Sequence, residues 1–269
     1  MSNNMRMATV ASGSSGNCIY VGSNQTHILI DAGISKKRTE MGLHNNDIDL
    51  KDISGIMITH EHIDHIGGLG VISRKYEIPI YATKKTLEQI EKNKTIGAIP
   101  TGLYREIRPD ENYNIGDLEI CPFHISHDAA DPVGYRVNCS DKSVAVATDM
   151  GKYDDYIISK LQDLDAIVIE ANHDVNMLLA GNYPYQLKQR ILGDRGHLSN
   201  EASGRLINDI LNDKIKRIIL GHLSKENNFE ELAYETVRSE ILMSDNEYRP
   251  DDFDIQVAKR DVNSDLVLV

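Results

Sequence analysis

Apolar residues recur along this chain in short runs, each closed by a cluster of Gly, Asn, Asp or Pro. Brief runs rich in Ile and Val read as strands, and longer stretches with a 3.6-residue period read as helices. In the first third the pattern predicts strands at 7–11, 18–21, 27–31 and 54–59. The first two flank Ser12-Gly13-Ser14-Ser15-Gly16-Asn17, a turn-forming loop whose glycines permit positive φ. Ile56-Met57-Ile58 is apolar at every position, as in a strand covered on both faces. Helical periodicity follows at 67–76 and 84–94, and further strands are predicted at 78–82, 114–123, 134–138, 143–148 and 166–170. Helices at 199–212 and 228–244 bracket a strand at 217–221, and 253–259 can form a last edge strand. The order is strand-rich first and mixed afterwards. With no internal repeat or linker-like tract, it predicts one α/β domain spanning 1–269.

Composition supports that reading. A chain of 269 residues with 41% hydrophobic positions can build one substantial core. The opening MSNNMRMATV lacks the apolar centre of a signal peptide, and no run approaches the roughly 20 apolar residues of a membrane helix. The expectation is a soluble, cytoplasmic protein with no membrane partner. Cys18, Cys121 and Cys139 are odd in number, widely spaced and without a CxxC, the pattern of reduced thiols rather than of a cysteine-built zinc site. The net charge of -12 argues mildly against a general nucleic-acid binder, yet leaves room for a nuclease with its basic groups at one cleft.

Candidate chemistry concentrates in His60-Glu61-His62-Ile63-Asp64-His65. Helical metal ligands sit at i and i+4. Here they stand at i and i+2 and then side by side, which suits an irregular loop leaving a buried strand. Imidazole with carboxylate suits zinc or another first-row divalent ion. Four ligands in six residues exceed what one tetrahedral site needs if others arrive from elsewhere, so two metals are inferred. Surface histidines are the bland alternative, but clustering of this density after an apolar strand has no structural purpose.

The pattern His60-x-His62-x-Asp64-His65 resembles the signature of the metallo-β-lactamase superfamily, which implies a four-layer αββα sandwich. Asp31 in Leu29-Ile30-Asp31-Ala32-Gly33 resembles the first motif, whose Asp buttresses the metal loop. His127 in Ser126-His127-Asp128 resembles the third, Asp149 in Ala147-Thr148-Asp149-Met150 the fourth, and His222 in Leu220-Gly221-His222-Leu223-Ser224 the last. By composition either His124 or His127 could be the ligand, and the flanking Ser and Asp favour His127. The resemblance implies one ion held by His60, His62 and His127 and another by Asp64, His65 and His222, with Asp149 shared. Asp64 thereby counts among the catalytic groups as well. Two such ions support hydrolysis of phosphodiesters, thioesters or amides alike.

The rest of the chain narrows the choice. The segments 11–17, 126–135, 170–174, 194–200 and 221–228 resemble the YycJ/WalJ/VicX family over nearly the whole chain. This implies a cytoplasmic bacterial DNA exonuclease of 5′-to-3′ polarity, associated with a histidine-kinase two-component signalling system. The stretch 182–195 carries Lys188, Arg190 and Arg195 against the single Asp194, interleaved with Tyr183 and Tyr185. Basic groups can hold phosphates while tyrosines stack on unpaired bases, although a solvated loop with a Pro184 turn has the same composition. Ser199 or Asn200 can cap the helix that follows and offer its N-terminus to a phosphate. Ser14 and Asn17 lie in a loop whose backbone N–H groups can do likewise, or simply turn a hairpin. His173 and His197 are further histidines, each able to protonate a leaving oxygen or to make a structural hydrogen bond. The length leaves no room for the inserted domain of β-CASP nucleases, and no Gly-Pro-rich arm like those of tRNA 3′-processing relatives is present. A single strand or strand end of DNA is thus the expected partner. Zinc and manganese are both candidate ions, and a small-molecule thioesterase or a non-catalytic regulatory protein are the rival readings.

Overall fold

A computed structural model describes residues 4–269. The chain divides into two compact units that interleave in sequence. The first comprises residues up to His124, Ala129–Lys142 and Lys259–Val269; the second comprises Ile125–Asp128 and Ser143–Ala258.

The first unit opens with strands β1 (Arg6–Ala11), β2 (Cys18–Gly22) and β3 (His27–Ile30), joined as an antiparallel meander. Helix α1 (Lys36–His44) crosses to β4 (Ile53–Met57), which pairs in parallel with β3 at Ile28↔Gly55 and Ile30↔Met57. After α2 (Ile63–Ile66) and α3 (Leu69–Tyr76), β5 (Ile80–Thr83) extends the parallel part. Helix α4 (Lys84–Lys92) leads to β6 (Tyr104–Ile107) at the far edge, and Val267–Leu268 pairs on β1 at the near edge. The apolar patterning has its cause here. Val10, Leu29, Ile56 and Ile80 enter one core with Ile66, Leu69 and Ile72 of the covering helices. Each such burial contributes roughly 1.5–3 kcal/mol. A separate meander follows, β7 (Tyr113–Ile115), β8 (Leu118–His124) and β9 (Val133–Cys139). The single strand predicted at 114–123 is thus two, because Gly116 at φ 57 turns the chain into a hairpin.

The second unit is a parallel array of β10 (Lys142–Ala147), β11 (Ala166–Glu170), β12 (Arg217–Gly221) and β13 (Asp254–Val257). β11 and β12 are apolar and buried nearly throughout, as strands covered on both faces must be, whereas the edge strand β13 alternates polar and apolar residues and is only partly buried. Between them run α5 (Asp155–Lys160), α6 (Val175–Ala180), α7 (Tyr185–Leu192), α8 (Asn200–Ile210) and α9 (Glu230–Met243). The stretch 182–195, which composition allowed as a solvated loop, contains α7. Pro184 stands immediately before the helix, where its fixed φ fits and its missing N–H is no loss, and Gln, Leu, Lys, Arg and Ile then propagate it. Among the described residues no helix is long and apolar enough to cross a membrane.

Candidate metal centre

In the first unit the parallel register delivers the end of β3 beside the end of β4. The Asp31 N–H donates to Met57 O at 2.8 Å, and Asp31 then turns left-handed at φ 62. The turn puts its carboxylate under the loop that leaves β4. Oδ1 accepts from Thr59 N at 2.8 Å, while Oδ2 accepts from Thr59 Oγ1 at 2.8 Å and from His65 Nδ1 at 2.7 Å. Burial raises the Asp31 pKa, and the His65 and Thr59 hydrogen bonds oppose that rise. With Nδ1 donating, His65 carries its lone pair on Nε2, which lies 3.0 Å from Asn17 Nδ2 and 3.5 Å from Asp64 Oδ2. The His60 ring packs against His62 and His65 at centroid distances of 4.6 and 4.1 Å. The segment 31–34 threads tightly beneath: a Cβ on Gly33 would stand 1.6 Å from Asp64 O. Asp31 therefore buttresses the loop, and a carboxylate holding the far side of a histidine is how metal-binding imidazoles are commonly oriented.

In the second unit, register does the same for three strands at once. Val146 pairs with Val168, Ile169 with Leu220, and Glu170 with Gly221. The carboxyl ends are therefore level, and Asp149, Glu170 and His222 emerge together. That edge is where open parallel sheets place their ligands. Asp149 and His222 also turn left-handed, at φ 61 and 56. Asp149, Glu170, His197 and His222 offer ligand-type atoms that all lie within 4.8 Å of one another. Glu170 is fully buried and is the hub of this group. Its Oε1 accepts from His197 Nδ1 at 2.8 Å and His222 Nδ1 at 3.0 Å, and its Oε2 from Met150 N at 2.9 Å and Leu198 N at 3.1 Å. Burial would raise its pKa, but His197 and the hydrogen bonds of both imidazoles outweigh it and lower the carboxyl to about 2. Burial likewise pushes His197 down, and the Glu170 charge overrides it, so its pKa is raised. His127 donates Nδ1–H to Gly196 O at 3.1 Å, leaving Nε2 as the acceptor 3.8 Å from Asp149 Oδ1. The donor set fits a divalent cation: buried imidazoles with one nitrogen tied back, beside ionised carboxylates.

Residues 26–223 match the family described as the β-lactamase superfamily domain. The chain is 42% identical to the exodeoxyribonuclease YycJ of Bacillus anthracis, over 88% of this chain and 89% of that one. It belongs to the metallo-β-lactamase superfamily. It is also 40% identical to the exodeoxyribonuclease WalJ of Streptococcus pneumoniae, over 89% of each. Among solved structures, Zn(2+)-bound PqqB from Methylobacterium extorquens superposes with a TM-score of 0.71 at 16% identity, covering 97% of this chain and 99% of PqqB. YhfI from Bacillus subtilis gives 0.68 at 17%, again covering 97% and 99%. The metallo-β-lactamase fold, mixed sheets flanked by helices in an α/β sandwich, is the one the motifs implied.

The superfamily frame clarifies the histidines. His127 is buried beside Asp149, whereas the His124 side chain is 56% exposed and faces Asp131. His173 is buried, bridged to Ser199, and belongs to none of the metal-sized groups among the described residues; burial lowers its pKa to about 4. Ser199 caps α8, its side chain accepting from Ala202 N at 3.2 Å. Asn17 is buried, with Oδ1 accepting from Gly13 N, while Ser14 is exposed. Tyr185 and Arg195 are exposed and Tyr183 is half-buried; Lys188 Nζ donates to Leu179 O at 2.6 Å, and Arg190 pairs with Asp128. The cysteines are free thiols. Sequence reasoning missed Glu170 as a functional group. The available signal was a carboxylate closing the apolar run Ala-Ile-Val-Ile, where only a committed partner would tolerate it.

Proposed function

We propose that the chain is a dinuclear-metal phosphodiesterase that degrades DNA from a 5′ end. Its two units act as one hydrolase domain over residues 1–269. The observation that carries this reading is the convergence of Asp149, Glu170, His197 and His222 within 4.8 Å, in a chain 42% identical to a named exodeoxyribonuclease. His60, His62 and His127 would hold one divalent ion, and Asp64, His65 and His222 the other, with Asp149 shared. Zinc suits the imidazoles and manganese the carboxylates. When bound, such ions lower the pKa of water and neutralise charge on phosphoryl oxygens. The chain's own residues do the rest. Asp31 and Glu170 fix which nitrogen of His65 and His222 faces outward. Glu170 keeps a proton on His197, and His197 Nε2 delivers it to the departing oxygen. Tyr183, Tyr185, Lys188, Arg195 and Ser14 would contact a single strand. A cytoplasmic setting and a link to a histidine-kinase two-component system belong to the same proposal. Digestion of 5′-labelled and 3′-labelled oligonucleotides with Zn²⁺ or Mn²⁺ tests it. The 5′ label should be released first, and Asp149→Ala should abolish turnover. Release from the 3′ end first, or metal-dependent activity in that variant, overturns it.

A further inference from the structure

We infer that Arg190 is a positioning residue, a clasp on the His127 loop, and not a phosphate-holding group. This rests on the dinuclear nuclease reading above. The basic character of 182–195 suggested a substrate surface, but the guanidinium is already committed: its Nε donates to Asp128 Oδ2. Asp128 follows His127 in sequence, and its other oxygen lies 3.4 Å from His127 Nε2.

Residues 190–196 hold this loop at each of its residues. Ser126 Oγ donates to Asp194 O at 2.6 Å, His127 Nδ1 donates to Gly196 O at 3.1 Å, and Asp128 takes Arg190. From behind, Gly151 N donates to Ser126 O at 2.8 Å. The last turn of α7 also reaches His197, whose N–H donates to Ile191 O at 3.0 Å. The end of α7 and the turn that follows it thus engage His127 and His197 together. The Asp128 side chain is 27% exposed and Arg190 57%, so the pair is partly desolvated on the carboxylate side only. There a planar guanidinium holds a carboxylate in a way a lysine ammonium does not. Released from Arg190, Asp128 would be free to swing across the imidazole nitrogen that faces the metal.

Two measurements on one set of variants separate a clasp from a phosphate contact: Zn²⁺ affinity by competition with a chromophoric chelator, and the salt dependence of binding to a fluorescent single-stranded oligonucleotide. Arg190→Ala should weaken Zn²⁺ binding about tenfold, the lower end for loss of a group outside the ligands themselves. Its salt slope should match that of the parent. Arg190→Lys should recover only part of the Zn²⁺ affinity, and Asp128→Asn combined with Arg190→Ala should be no worse than the more damaging single change, since both remove one interaction. Lys188→Ala should do the reverse, lowering the slope by about 0.7 with Zn²⁺ affinity unchanged. The clasp is overturned if Arg190→Ala lowers the salt slope by about 0.7 while Zn²⁺ affinity stays at the parental value. A parent protein that binds neither Zn²⁺ nor DNA overturns the nuclease reading itself.

Discussion

Replacing Glu170 with Gln keeps the shape of the side chain and removes its charge from the hub of the second unit. The magnitude can be worked in two ways from the same contacts. The carboxyl is lowered from 4.5 to about 2 by His197 and His222 in spite of complete burial. At about 1.4 kcal/mol for each pH unit, this makes the ionised group worth about 3 kcal/mol to the metal-free protein near neutrality. The hydrogen bonds give a similar figure. Met150 N and Leu198 N donate to Oε2, and His197 and His222 to Oε1. An amide offers one oxygen in place of two and turns its NH₂ toward donors, leaving two buried donors unmet at about 1–3 kcal/mol each. The sign of the pH dependence is fixed. The pKa is depressed in the folded state, so the stabilisation is complete above about pH 4.5 and is lost as pH falls toward 2. Urea unfolding of chelator-treated protein, followed by circular dichroism, should show Glu170→Gln about 3 kcal/mol less stable at pH 7, with the gap closing below pH 4.5. A gap under about 1 kcal/mol at pH 7, or one that widens in acid, refutes the reasoning.

Gly33→Ala should destabilise the protein by about 3 kcal/mol or more and release metal on dialysis, because its Cβ would stand 1.6 Å from Asp64 O and only backbone displacement can relieve that. A parental melting temperature would show that the 31–34 segment yields freely. His173 is neutral in the folded state, with its pKa lowered from 6.5 to about 4 by burial. The unfolded chain therefore takes up a proton that the folded one refuses, and metal-free stability should fall by about 3 kcal/mol as pH drops from 6.5 to 4. His173→Leu should flatten the unfolding midpoint over that interval, and an unchanged slope would relieve His173 of the effect.

Part of the candidate site was legible because four of its groups fall within six residues. His60, His62, Asp64 and His65 advertise themselves by density, and Asp31, Asp149 and His222 each close an apolar run. Glu170 closes one just as plainly, but a single carboxylate has no spacing signature. Only the register Glu170↔Gly221, set by strands about 50 residues apart, reveals that it meets His222. Arg190 shows the opposite limit: its charge was visible in the sequence, and its pairing with Asp128 was not. The helix at Tyr185–Leu192 was obscured by Pro184, a residue that reads as a turn signal in sequence and serves as a helix start in the structure.

Backbone strain at Asp31, Asp149 and His222 ties these observations to chemistry. All three are non-glycine residues at positive φ, and each follows within two residues of a strand end. Such conformations cost about 1 kcal/mol or more apiece, and Asp and His tolerate them better than most. Glycine would adopt the turn without strain but would bring no carboxylate or imidazole. An extended continuation would send the side chain to a face of the sheet, because strand side chains alternate between faces. Only the left-handed turn aims it past the carboxyl edge, where register has already levelled the neighbouring strands. The Asp31 carboxylate is locked there by Thr59 and His65, and His222 by Glu170, so packing and hydrogen bonds offset the strain before any ion or substrate arrives. On the proposed metal-binding reading, side chains aimed in advance need not reorganise to take a cation, and replacing Asp149 or His222 by glycine should relax the backbone while emptying the site.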